Sequence, residues 1–297
     1  MKKFMKFILL TLSLSILLFG CTNNKSKVNS FDSNTVNSKI NSESDNIINA
    51  TKDIDKSNDK EKKNTKDTNS TSNNKNLNEN NLNKNTNNLK KITIVIDPGH
   101  SSKISNEKEC VSPDSKEKKL KDTSGATGVS SGIPEYTITH KISIKLKNLL
   151  EKEGYNVILT KDNISEQRSN IERANIGNKA NANLLIRIHC DGVDSPSAKG
   201  ASILVPEVKG YITENIAKKS YSYGEKILNS YTKTTGIYNR GVVKRDDLTG
   251  FNWSKVPVVL LELGFISNPK EDSYLSNDKN YNQICEGIAQ GINNCFK

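Results

Sequence analysis

Hydrophobic and polar positions follow three different regimes along this 297-residue chain. Residues 7–19 form an apolar run broken only by Thr11, Ser13 and Ser15, with Lys2, Lys3 and Lys6 before it and Gly20-Cys21 after it. A basic start, a short apolar stretch and a small-residue exit predict a secretory signal peptide. The run falls short of the ~18–20 residues that a membrane span needs, and no charged stop-transfer flank follows. Residues 22–91 carry neither a helical nor a strand period. From Ile92 onward, short β-branched runs alternate with stretches whose apolar side chains recur at helical spacing.

That last regime predicts the elements of a fold. Ile92-Thr93-Ile94-Val95-Ile96 reads as a buried strand closed by the turn Asp97-Pro98-Gly99-His100. Residues 101–132, polar and containing Pro113, Gly125, Gly128 and Gly132, are expected as a long loop. After Pro134, apolar Ile138, Ile142, Leu146, Leu149 and Leu150 repeat as far as Gly154, which puts Glu135 in the first turn of an amphipathic helix. Further strands are expected at 155–159, 184–188, 201–205 and 256–261, and further helices at 166–182, 212–231 and 281–296. The fold class is therefore α/β: a single domain with a central, mostly parallel sheet flanked by helices. His100, His189 and Glu262 each follow a predicted strand, and in such sheets ligands bind outside the carboxyl ends of the strands.

Composition sharpens the division. The whole-chain values, 33% hydrophobic and a net charge of +11, describe a poor core former with a basic bias. Residues 22–91 hold 11 apolar side chains and 21 Asn, with no Gly, Pro or Arg. That is too little apolar surface to offset ordering entropy, so a disordered tether is expected, with a root-mean-square span of ~45–50 Å. Residues 92–297 contain 74 apolar residues and 16 Gly, about 44% of the segment and near the ~45–50% of ordinary globular domains. The chain divides into 1–21, 22–91 and one folded domain, 92–297.

Charge follows the same division: the domain retains 28 basic against 24 acidic side chains, a net +4. No nucleic-acid partner is expected on that balance, which suits an anionic wall, a lipid surface or plain solubility. The five Cys include no C-x-x-C pair. Cys285 and Cys295, ten apart on the last predicted helix, stand about 15 Å apart along its axis and cannot bridge. Collagen, coiled coil, disulfide-dense miniprotein and multi-span membrane protein are excluded.

Of the three His, two end buried strands, where a desolvated imidazole needs a metal, a carbonyl or a carboxylate as partner. Together with Glu135 and Glu262 they supply the two nitrogens and one oxygen of a catalytic zinc site, with one carboxylate left over. No H-E-x-x-H helix of a zinc peptidase is present.

I-D-P-G-H at 96–100, G-x-P-E at 132–135, I-H at 188–189 and L-E-L-G-F-I-S-N at 261–268 occur in that order. In these motifs the domain resembles the zinc-dependent N-acetylmuramoyl-L-alanine amidases of type 3, which are bacterial cell-wall hydrolases. The resemblance covers the whole folded domain. It implies that His100, Glu135 and His189 bind Zn2+ and that Glu262 is the catalytic carboxylate. It also implies hydrolysis of the amide between N-acetylmuramic acid and the L-alanine of the peptidoglycan stem peptide. A wall-binding lipoprotein that keeps the fold without catalysis is the alternative, and the intact Glu262 and ligand set argue against it.

Leu18-Phe19-Gly20-Cys21 resembles a lipobox, which implies lipidation at Cys21, a membrane anchor and a position outside the cytoplasm facing the wall; an uncleaved or ordinary secretory signal is the other reading. The expected partners are peptidoglycan and the membrane, and no feature identifies an activator protein. Departures from the family pattern are Ser101 and Ser102 after D-P-G-H, Arg187 before I-H, and Cys190 and Asp191 after it. Cys190 should point away from His189, because strand side chains alternate. Arg173 and Asn178 match a region expected to support packing and hydrogen bonding. Arg240 and Arg245 are candidates to hold a substrate carboxylate, with surface ion pairs as the competing reading. Trp253 is expected on the core, with packing on a sugar as the competing reading, and His140 on the surface.

Overall fold

Alternation along the strands decides what each side of the sheet touches. The structure, a computed structural model, describes residues 92–297; the signal, Cys21 and the expected tether lie outside the described residues. Six strands line up in the order β4-β1-β5-β8-β6-β7: β1 (Thr93–Pro98), β4 (Asn156–Leu159), β5 (Leu184–Asp191), β6 (Ala201–Pro206), β7 (Asn239–Arg245) and β8 (Val258–Phe265). Neighbours are parallel except β6 against β8. The mostly parallel α/β sheet read from the sequence is thus the architecture found.

One set of alternate positions is apolar throughout. Ile94 and Ile96, Leu184, Ile186 and Ile188, and Val259, Leu261 and Leu263 pack against three helices: α1 (Glu135–Lys152), α3 (Glu214–Thr235) and α6 (Tyr281–Phe296). The other set begins apolar, with Val95, Leu185, Val258 and Leu260 in a smaller core with Phe251 and Ile212. Toward the carboxyl ends it turns to Asp97, Arg187, His189 and Glu262. This side is served by the short helices α2 (Asn170–Lys179) and α4 (Thr249–Asn252), with Ile216 and Ala217 from the start of α3.

Several expectations needed correction. Residues 101–132 are no plain loop: β2 (Ser105–Cys110) and β3 (Lys118–Asp122) form an antiparallel hairpin. Its sequence, SNEKEC against KKLKD, lacks a β-branched signal, and tertiary contacts supply the support. The Glu109 carboxylate accepts Asn170 N–H (2.9 Å) and Ile171 N–H (3.2 Å) at the start of α2, and Trp253 Nε1 donates to the Cys110 carbonyl (2.9 Å).

The helix expected over 166–182 is shorter because Ser169 and Glu172 form a capping box that starts it at Asn170. Polar β7 and the Asn268-capped α5 (Pro269–Leu275) were not anticipated. His140 is half-buried, not exposed, and its Nε2 lies 3.1 Å from the Asp162 carbonyl oxygen. Arg173 and Asn178 do pack and bond as expected. Arg173 Nη2 reaches Asp122 (3.0 Å), and Asn178 Nδ2 donates to the Trp253 carbonyl (2.9 Å).

Candidate functional site

Three elements converge where the strand order reverses around β1. His100 lies two residues past β1, His189 sits near the end of β5, and Glu135 is the first residue of α1. His100 Nε2 is 3.3 Å and His189 Nδ1 3.1 Å from Glu135 Oε1, and the two rings meet edge to face with centroids 4.8 Å apart. One ligand atom from each of the three residues falls within 4.8 Å of the others.

Backbone groups hold each member. His100 Nδ1 lies 2.8 Å from the Thr123 carbonyl oxygen, a pure acceptor, so Nδ1 carries the proton and Nε2 keeps its lone pair. Glu135 accepts Cys190 N–H on Oε1 (3.0 Å) and Ala126 N–H on Oε2 (2.9 Å). Space is tight. A Cβ at Gly99 would lie 2.7 Å from His189 Nδ1, and one at Gly125, where φ is +73°, would collide with Glu135 Oε2. His100 itself is left-handed, with φ at 57°, a conformation a non-glycine residue keeps only when its surroundings over-determine it.

The electrostatics suit a cation. Burial pushes His189 down to about 4, leaving it neutral near pH 7. Burial opposes the charged form of Glu135 as well, but its bonds to the two histidines win and hold its carboxyl well below the usual range. For His100, burial works against protonation and the Glu135 carboxylate outweighs it, so its pKa is raised. His189 Nε2 is buried without a hydrogen-bond partner, while Nδ1 is the nitrogen that approaches the Glu135 carboxylate. Two imidazoles and one carboxylate, with the second His100 nitrogen tied to a carbonyl, fit a divalent zinc site.

Glu262 stands directly opposite His189 in the β5–β8 register. Its Oε2 is buried and unpartnered. Burial, then the carboxylates of Glu135 and Asp191, drive its pKa well above the ordinary value. Cys190 faces the opposite core, as alternation requires. Arg240 is exposed, donates to the Lys199 carbonyl (3.2 Å) and places its guanidinium 5.0 Å from the Phe265 ring centre. The Arg245 fork is engaged by Asp247 through two bonds of 2.7 and 2.8 Å. Sequence reasoning did not single out Thr123 or Ala126, whose contributions are backbone groups with no side-chain signal.

A family model for N-acetylmuramoyl-L-alanine amidases, Amidase_3, matches residues 94–294. The chain belongs to this amidase family. The probable cell wall amidase LytH of Staphylococcus epidermidis is 29% identical over 205 residues, covering 69% of this chain and 58% of LytH. The probable amidase AmiB of Haemophilus influenzae is 28% identical over 243 residues, covering 68% of this chain and 51% of AmiB. The chain thus spans little more than half the length of these two relatives. Among solved amidase structures, Ami1 of Mycobacterium smegmatis shares the fold with a TM-score of 0.64 at 20% identity, over 70% of this chain and 98% of Ami1. CwlD of Clostridioides difficile, solved with the GerS lipoprotein, matches at 25% identity and a TM-score of 0.56, over 69% of this chain and 98% of CwlD. The amidase match begins within β1 and ends within α6, so it takes in all four residues of the candidate site.

Proposed function

We propose that this protein is a zinc-dependent N-acetylmuramoyl-L-alanine amidase that cleaves the amide between N-acetylmuramic acid and L-alanine in peptidoglycan. The observation that carries the reading is the convergence of His100, Glu135 and His189 within 4.8 Å, with Glu262 in register beside them, inside a domain of the amidase family.

His100, Glu135 and His189 hold the zinc, which when bound supplies the Lewis acidity that polarises the scissile carbonyl and acidifies water. Thr123 orients the His100 ring through Nδ1, and the Cys190 and Ala126 N–H groups fix the Glu135 carboxylate. Glu262 receives the proton of the attacking water and returns it to the departing alanine nitrogen, so one carboxylate acts as general base and then general acid. Its desolvated Oε2 makes it a stronger base than an exposed glutamate. Arg240 is the better placed of the two arginines to meet a substrate carboxylate, because Asp247 already occupies the Arg245 fork.

The remaining parts concern location. Residues 1–21 export the chain, Cys21 carries a lipid anchor, and 22–91 is a tether that lets domain 92–297 reach peptidoglycan from the outer face of the membrane. Incubating the full-length protein with purified peptidoglycan should release new L-alanine amino termini, and a chelator should abolish the release. Activity that survives chelation excludes the zinc mechanism, and absence of palmitate label at Cys21 excludes the anchor.

A further inference from the structure

The turn that delivers His100 is gripped carbonyl by carbonyl from three elements. Arg173 Nη1 of α2 donates to the Pro98 carbonyl at 3.0 Å, Thr139 Oγ1 of α1 donates to the Gly99 carbonyl at 3.0 Å, and Lys161 Nζ, just past β4, donates to the His100 carbonyl. Lys161 is 2% exposed. Among the described residues the His100 carbonyl is its single hydrogen-bond acceptor, and no carboxylate lies within ion-pairing distance of it. Buried lysines ordinarily have a carboxylate partner. Here the ammonium is directed to the one peptide group whose left-handed conformation places the His100 ring on Glu135.

We propose that Lys161 is a positioning residue for the metal site, fixing the backbone of His100 through its carbonyl. The proposal rests on the reading of His100 as a zinc ligand. It competes with a purely electrostatic role, and the two predict opposite signs. Asp97 and Asp122 face Arg173, Arg187 and Lys161, so this buried cluster already has an excess of positive charge. Removing one cation near a dication relieves repulsion and tightens metal binding; removing the grip on a ligand loosens it, since lost outer partners of metal ligands cost ~10–100-fold in affinity.

The test titrates zinc into metal-free full-length protein against a chromogenic chelator, with thermal unfolding of the metal-free form measured in parallel. Lys161→Met keeps the stem and loses the donor, and should bind zinc at least about tenfold more weakly. Lys161→Gln loses the charge and keeps an N–H donor, and should stay within about threefold of the parent. Equal or tighter binding by Lys161→Met overturns the proposal, as does an equal loss in both variants. Should Lys161→Met fail to fold, Lys161→Gln decides alone: a tenfold loss overturns the proposal and near-parent affinity supports it. Zinc binding that is unaffected by His189→Ala in the parent protein would instead remove the metal-site reading on which the proposal rests.

Discussion

Side chains one residue apart on β5 occupy opposite surroundings. Ile186 and Ile188 are fully buried among the helices α1, α3 and α6, whereas Arg187 and His189 face a cluster of charged and metal-binding types. The same contrast holds on β1, with Ile96 against Asp97, and on β8, with Leu261 against Glu262. A strand that must be insoluble on one side and reactive on the other needs only period-two patterning, provided that every buried charge on the reactive side finds a partner. Asp97 finds Arg173 at 3.4 Å and Arg187 at 2.7 Å, and Asp122 finds Arg173 at 3.0 Å. Glu262 Oε2 and His189 Nε2 find none, and both atoms belong to residues of the candidate site.

The contrast is tested most severely at Glu262. Glu262→Gln should lower kcat by roughly 10²–10⁴ if the carboxylate moves the proton. Its unfolding temperature should be unchanged or higher, because the substitution removes a desolvated, unpartnered carboxylate. Steady-state release of L-alanine amino termini and a thermal melt, with metal content measured on the same sample, decide the matter. A variant that loses activity because it has also lost stability would mean that the two sides of the sheet are not separable in this way.

Asp97 tests the opposite possibility, that the charged side also holds the fold. Asp97→Asn leaves two buried guanidinium groups with weakened compensation and should cost about 3–5 kcal/mol in denaturant unfolding. The pH dependence has a definite sign. Although burial opposes the charged form, Arg173 and then Arg187 keep the Asp97 carboxyl well below the ordinary range. Its contribution is therefore complete above the unfolded value of ~3.9 and is lost as pH falls below it. The gap between parent and Asp97→Asn should be full at pH 6 and narrow steadily from about pH 4 downward. A gap independent of pH would show that the ion pairs do not carry the effect.

How far the sequence disclosed all this depends on where each signal resides. The apolar strands and α1 and α6 were readable because their patterns coincide with their burial, and helix 281–296 has the bounds the periodicity predicted. His100, Glu135, His189 and Glu262 were readable because they stand at element ends in recognisable motifs. The β2–β3 hairpin and β7 were not, since their pairing depends on docking partners distant in sequence, such as Glu109 against the start of α2 and Gly200 against the Tyr238 carbonyl. Lys161 and Asp97 escaped a role for the same reason. Nothing local announces that a lysine 61 positions away will bond the His100 carbonyl.

The apolar side offers the mildest test. Ile186 is fully buried one residue before Arg187 and three before His189. Ile186→Val removes one methylene from a close-packed core and should cost about 0.5–1.5 kcal/mol, the usual cavity and transfer penalty. The same substitution touches no group on the reactive side, so kcat and zinc affinity should stay within about twofold at temperatures well below the melt. Equilibrium unfolding and a zinc titration on one preparation measure both quantities. If this methylene altered zinc affinity tenfold, β5 would transmit packing changes through its backbone to His189, and alternation would divide the two sides in composition but not in mechanics.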